Sequence, residues 1–127
     1  MTYIRPGFFM RRVVNPLLTA LRLKPTLAVK GRKSGEWRTV PVNVLEHDGH
    51  HYLVAIRGET EWVRNLRAAG AGEIRMGANV ERFRATEIPP EERPPIIAAY
   101  RALWEREVTA QFRKLPDAAD HPVFRID

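Results

Sequence analysis

The dipeptide Asp48-Gly49 constrains this chain more than any other feature. It lies between two runs rich in β-branched and aromatic residues, 40–46 and 51–56. That spacing suits a tight hairpin whose central residues both take positive φ, so the flanking runs pair antiparallel. The same logic extends in both directions. Upstream, residues 26–30 are β-prone, Gly31-Arg32-Lys33-Ser34-Gly35 interrupts them, and residues 37–45 resume with Val40, Val42 and Val44 on one face, which predicts a hairpin with a cationic tip. Downstream, residues 73–76 and 80–88 form a further strand pair around Gly77-Ala78-Asn79.

Between these hairpins the apolar period changes. Residues 61–69 predict a short helix with Thr60 as its cap, Gly70 as its stop and Trp62, Val63 and Leu66 on its inner face. Pro90 can open a later helix, and Pro94 and Pro95 predict a kink or a late start. Ile97, Tyr100, Leu103, Trp104 and Val108 mark its buried stripe. Residues 121–126 are short and apolar, as expected of a terminal edge strand. Residues 8–23 carry Phe9, Val13, Leu17, Leu18 and Leu21 at helical spacing, with Arg11, Arg12 and Arg22 mostly off that stripe. This run is interrupted and falls short of the roughly 20 apolar residues a bilayer span needs. It reads either as a helix docked on the domain or as a basic amphipathic helix in peripheral contact with an anionic membrane.

At 127 residues the chain has room for one domain. The expectation is an α+β fold, mainly antiparallel and closing into a small barrel. An N-terminal helix occupies 1–23, the barrel core and site 26–88, and a helix with a terminal strand 89–127. The absence of Cys excludes disulfide frameworks, thiolate zinc sites and thiol catalysis, and suits a cytoplasmic location. Twenty-one Lys and Arg against 15 Asp and Glu leave 21 − 15 = +6, which favours anionic partners.

The chemistry concentrates at residues 31–38. Glycines let backbone approach a ligand, successive N–H groups can form an anion-binding nest, Ser34 adds a hydroxyl, and Arg32, Lys33 and Arg38 add charge, with Lys24 and Lys30 nearby in sequence. This is a phosphate-reading set without the spacing of a Walker loop or a dinucleotide fingerprint. Elsewhere, His47, His50 and His51 read as an exposed turn and not as a metal site. Arg57, Arg64, Arg67 and Arg75 lack the interleaved exposed aromatics of a nucleic-acid face, so no nucleic-acid partner is expected. Glu91, Glu92, Glu105 and Glu107 read as solvated helix faces.

The strings LAVKGRKSGEWRTVPVNV, HDGHHYLVAIRG, EWVRNLRAAG and HPVFRI resemble the deazaflavin-dependent nitroreductase family, closely over residues 26–88 and loosely beyond. The resemblance implies a split β-barrel, frequently homodimeric, that uses the deazaflavin coenzyme F-420 to reduce a small organic acceptor such as a quinone, nitro compound or activated alkene. It implies that Arg32, Lys33, Ser34, Gly35, Arg38 and Thr39 grip the phosphodiester and acidic tail. Residues 41–43, including Pro41 and Val42, would surround the tricyclic ring. So would Ala55, Ile56, Arg57 and Gly58, and the helix start with Trp62, Arg64, Asn65 and Leu66. Flavin mononucleotide (FMN), through its terminal phosphate, is the alternative ligand, and a non-catalytic deazaflavin carrier the alternative role. The chain departs from familiar members at Ala55-Ile56-Arg57-Gly58-Glu59, where they carry a Ser-containing double-glycine turn, and at Trp62-Val63-Arg64-Asn65, where many have an aromatic-His-Asn run. Tyrosines that help protonate nitro substrates in some relatives have one loose counterpart, Tyr100, whose place on an apolar helical stripe also suits core packing.

Overall fold

A computed structural model describes residues 24–127. The helix expected within residues 8–23, in either its docked or its membrane-bound reading, lies outside these described residues. Seven strands form one antiparallel sheet: β1 (Thr26–Lys30), β2 (Trp37–Pro41), β3 (Leu45–His47), β4 (His50–Val54), β5 (Ala71–Met76), β6 (Asn79–Glu87) and β7 (Val123–Ile126). Their order is β2-β1-β5-β6-β7-β4-β3. Helix α1 (Glu61–Ala69) joins β4 to β5, and helix α2 (Arg93–Lys114) lies between β6 and β7. The nine-residue β6 links the two halves: residues 79–84 pair with β5, and residues 85–87 pair with β7. This is the split-barrel arrangement.

The local turn chemistry fell where the residues demanded it. Asp48 (φ 51°) and Gly49 (φ 78°) both take the left-handed region between β3 and β4, and Gly70 (φ 69°) closes α1 by donating to the Leu66 carbonyl. Thr60 holds the N-cap position of α1 with extended backbone, but its side chain makes no capping bond. Pro94 and Pro95 fall in the first turn of α2, where a proline lacks no hydrogen bond the helix would have used, so the helix begins at Arg93 after a short turn at Pro90–Glu92.

Five expectations are corrected by tertiary context. The run 37–45 is not one strand. It breaks after Pro41, where Val42 N–H donates to the Pro25 carbonyl (3.0 Å), and resumes at Leu45. The second arm of that hairpin ends at Val54, short of residue 56. The last strand is not an edge: β7 lies between β6 and β4. Its residues are buried on both faces, Phe124 and Ile126 in the barrel interior with Leu27, Leu53 and Leu66, and Val123 under α2 with Tyr52, Ile97 and Phe112. Leu103 is 64% exposed, whereas Ile96, Ile97, Tyr100, Val108 and Phe112 form the inner stripe of α2. Successive steps of four residues drift by roughly 40° each around a regular helix. The non-helical backbone at Trp104 (φ −126°, ψ 29°) interrupts α2 midway along that stripe. Finally, His51 is buried and does not belong to an exposed turn, because it faces Glu46 and Ile126 across the two ladders of β4.

His121 pegs the sheet to α2. Fully buried, it places Nδ1 2.9 Å from the Ala55 carbonyl and Nε2 2.6 Å from the Leu115 carbonyl, with its ring 4.3 Å from that of Phe112. Arg93, also buried, donates to the Ile88 carbonyl (2.9 Å) and the Ala119 carbonyl (3.0 Å), and contacts Glu87 at 3.2 Å. Arg67 completes a surface network by gripping both Glu87 and Glu59. Among the described residues no helix is long and apolar enough to cross a membrane.

Two stability outcomes follow from this packing. A Cβ on Gly72 would lie 2.9 Å from the Ala28 carbonyl oxygen and 3.0 Å from Phe83 Cζ. Because the first obstacle is backbone of the adjacent strand, Gly72→Ala should cost about 1–3 kcal/mol in denaturant unfolding. Burial holds the His51 imidazole below its ordinary range, partly offset by Glu46 and Asp127. The unfolded chain therefore binds more protons, and stability present above pH 6.5 falls as the pH drops below that value. Thermal unfolding between pH 7.5 and 5 should show this slope, and His51→Leu should flatten it.

Candidate functional site

The β1–β2 turn is tied to α1 by a side chain from the helix. Asn65, buried, accepts from the Arg32 backbone N–H at 3.0 Å and from Arg32 Nη1 at 2.8 Å through the same Oδ1. Glu61, one helical turn earlier, takes Arg32 Nη2 at 2.9 Å, and this contact holds the Glu61 carboxyl below the usual carboxylate range. Within the turn, Gly31 N–H donates to the Glu36 carbonyl (2.8 Å), Gly35 N–H to the Gly31 carbonyl (2.9 Å) and Glu36 N–H to Ser34 Oγ (3.1 Å). Four amides of the turn, those of Gly31, Arg32, Gly35 and Glu36, are thus committed to internal partners. Side-chain capacity for an anion lies in Lys33, Arg38 and the Ser34 hydroxyl, whose proton stays free when its oxygen accepts.

Beside this turn lies a cavity of about 840 Å³, within the range of small-molecule sites. Its wall is β2 and the bend that follows, its floor is β4 and the turn after it, and its far side is built from the starts of α1 and the middle of α2. Position along the β1–β2 hairpin sets its polarity. Trp37 pairs with Lys30 at the cationic end, and Pro41 pairs with Thr26 four residues away, roughly 13 Å along the strand. Arg32, Lys33, Ser34 and Arg38 therefore occupy one end. Val40, Val42, Leu53 and Trp62 supply apolar surface, and Lys24, Asn43, Tyr100, Glu107 and Gln111 belong to the other end.

The structure brings together most of the residues picked out by sequence. Arg32, Lys33, Ser34, Arg38 and Thr39 line the cavity, as do Pro41, Val42, Ile56 and Arg57, and Trp62 and Asn65 from α1. Five do not line it. Gly35 (φ 73°) serves the turn itself. Ala55 is buried, donating to the Pro122 carbonyl and accepting from His121. Gly58 (φ 83°) lies against Leu115 and the Asp120 carbonyl, where a Cβ would come within 3.1 Å of Leu115 Cδ2. On α1, helical rotation turns Trp62 and Asn65 to the cavity, Leu66 to the barrel core and Arg64 outward to solvent.

Tyr100 answers to both of its sequence readings. Its ring packs 4.7 Å from that of Trp104 in the core under α2, and the residue also lines the cavity, with its hydroxyl accepting from Asn43 Nδ2 at 3.1 Å. Burial pushes the phenol above its ordinary range. Glu107 and Gln111 share that helix face and were not anticipated, because single polar residues beside an apolar stripe look solvated. Glu107 is exposed, as a solvated face requires, and also pairs with Lys24 at the cavity wall. The spacing 100, 107, 111 is the one signal that would have grouped them. Thr60, Glu61 and Gln111 also line the cavity outside the sequence-based set. Thr60 Oγ1 and Gln111 Oε1 are shielded from solvent and have no hydrogen-bond partner among the described residues. The basic residues weighed as a nucleic-acid face are dispersed: Arg67 joins Glu59 and Glu87, and Arg75 pairs with Glu73 and stacks on Trp37.

Solved structures resemble this fold over most of its length. A protein of unknown function from Agrobacterium tumefaciens, Atu2129, superposes with a TM-score of 0.62 at 26% identity, over 96% of this chain and 54% of that one. The chain thus spans about half the length of that relative. An F420-H2 dependent reductase, FDR-A, gives a TM-score of 0.59 at 25% identity, over 82% of this chain and 94% of its own. A structure described as a domain-swapped dimer gives 0.59 at 20% identity, over 97% of this chain and 100% of its own, a likeness of fold. Among curated proteins none matches. The family model for F420H(2)-dependent quinone reductases matches residues 9–115. On that match, which covers most of its length, the chain belongs to the F420H(2)-dependent quinone reductase family.

Proposed function

We propose that the chain is an oxidoreductase that binds coenzyme F-420 in the cavity between the β1–β2 turn and α2, and reduces a small organic acceptor: a quinone, a nitro compound or an activated alkene. The observation that carries this reading is the polarity of the cavity, cationic at the turn, apolar along β2 and phenolic at α2. The residues fit the group. An acidic tail suits Lys33, Arg38 and the Ser34 hydroxyl, and an extended ring suits Val42, Ile56 and Trp62.

When bound, the reduced coenzyme supplies a hydride, and the chain supplies everything else. The α1 latch on Arg32 holds the turn, the apolar wall excludes water, and the Tyr100 hydroxyl gives a proton donor toward an acceptor oxygen that gains charge. A phenol kept above its ordinary range stays protonated at neutral pH, as a donor must. A homodimer belongs to the same proposal, and of the two readings of residues 8–23 a helix docked on the domain is preferred to contact with an anionic membrane. Support for the homodimer is a fold likeness to a structure described as a domain-swapped dimer.

Titration of the purified chain with F-420 and with FMN, followed by turnover with each acceptor class, tests the reading. Binding and turnover with F-420 are expected. Preference for FMN, or F-420 binding without reduction of any acceptor, would replace it. Within that assay, Lys33→Ala combined with Arg38→Ala should weaken F-420 by about ten- to several-hundred-fold at low salt and much less at high salt, since each charge-assisted contact contributes about 1.5–3 kcal/mol and salt screens it. Equal loss at every ionic strength would remove the electrostatic role. Tyr100→Phe keeps the ring that packs on Trp104, so folding should survive while kcat falls about a hundredfold with the coenzyme Kd unchanged.

A further inference from the structure

At the α2 end of the cavity the hydrogen-bond polarity of one side chain is dictated by its neighbour. Glu107 is paired with Lys24, and its carboxylate can only accept hydrogen bonds. Asn43 Nδ2 lies 3.1 Å from Tyr100 Oη and at a longer 3.5 Å from Glu107 Oε1. Turning the amide over would set its carbonyl oxygen against the carboxylate, lone pair against lone pair, so the NH₂ group faces both neighbours. The Tyr100 oxygen consequently receives a proton from Asn43 and cannot place its own on that partner. Its ring is enclosed by Trp104 and the core, and the residue lines the cavity, so the O–H is directed to the cavity contents.

We infer that Asn43 is a positioning residue which, held by the Lys24–Glu107 pair, fixes the Tyr100 phenol as a hydrogen-bond donor toward a carbonyl- or nitro-type oxygen of the acceptor. The inference rests on the proposed reductase reading and deepens it. A rival role for Asn43 is structural: it follows the break after β2, and there its loss would act on stability alone.

The test separates the two readings. Phenolic absorbance of the ligand-free full-length protein is titrated for the parent, Asn43→Leu and Glu107→Gln, each compared with Tyr100→Phe to isolate one of the three tyrosines. Donation from Asn43 favours the ionised phenol and Glu107 opposes it, so Asn43→Leu should move the Tyr100 titration up and Glu107→Gln should move it down. Glu107 is largely exposed, so its variant folds if Asn43→Leu does not. A Tyr100 titration unchanged in the folded variants overturns the inference whether or not F-420 binds. With coenzyme and acceptor, Asn43→Leu should lower kcat about tenfold when Tyr100 is present and have no further effect on Tyr100→Phe. Equal losses in both backgrounds would overturn it too. Absence of F-420 turnover in the parent chain would sink the reductase reading alone, since the ligand-free titration still decides the positioning role.

Discussion

The site depends on a single carboxamide. Asn65 Oδ1 accepts two hydrogen bonds from Arg32, one from backbone and one from side chain, and so joins a turn at one end of the sheet to a helix 33 residues later. Without that bond the turn would be held to α1 only by the exposed Arg32–Glu61 contact, and the cationic end of the cavity would be less firmly placed. The bond is protected because Asn65 is buried, and burial makes it obligatory: an amide withdrawn from water is costly unless its hydrogen bonds are made inside. Glu61 adds charge at the exposed rim of the same contact, where solvent screens it and its contribution to stability is small.

The latch works because the barrel presents its two ends at fixed separation. Strands β4 and β7 are covered on both faces, by the barrel interior on one side and by α2 on the other. The cavity floor is therefore as rigid as the core beneath it. His121 and Arg93 extend the constraint with hydrogen bonds to carbonyls of the turn after β4, the end of β6 and the chain after α2. Ala55 and Gly58 accordingly belong to the scaffold that holds Ile56 and Arg57 at the cavity, although neither touches it. A glycine at position 58 answers to its positive φ and the closeness of Leu115, not to a ligand.

What could be read from sequence divides along the same line. Asp48-Gly49, Gly70 and Gly77 announce their turns because positive φ is a local requirement of the backbone. The cationic turn and the face of α1 were legible because charge clusters and helical periods are visible in one dimension. The interior place of β7 was not, since four short residues cannot show which strands will flank them. Nor was the role of Glu107 and Gln111, whose company is set by where α2 crosses the barrel. His51 follows the same rule: its sequence neighbours His50 and Asp48 suggest a wet turn, while β4 lies between β3 and β7, where His51 pairs with Glu46 and Ile126 and is buried.

The distribution of charge around the cavity carries a last consequence. Charge is uneven around the cavity, because Lys24 is answered by Glu107 and Arg32 by Glu61, while Lys33 and Arg38 line the turn end. An elongated ligand with one anionic end entering such a field is oriented before it makes contact, with its acid toward the turn and its neutral body toward α2. That direction matters chemically. At the α2 end the Lys24–Glu107 pair leaves little net charge, so under the proposed reading a neutral acceptor would not be repelled, and a hydrogen bond from the buried phenol of Tyr100 to a developing negative oxygen would be strong there. The cationic end of the cavity and its phenolic end, which the proposed reading assigns to binding and to reaction, are thus separated by the length of one five-residue strand, β2.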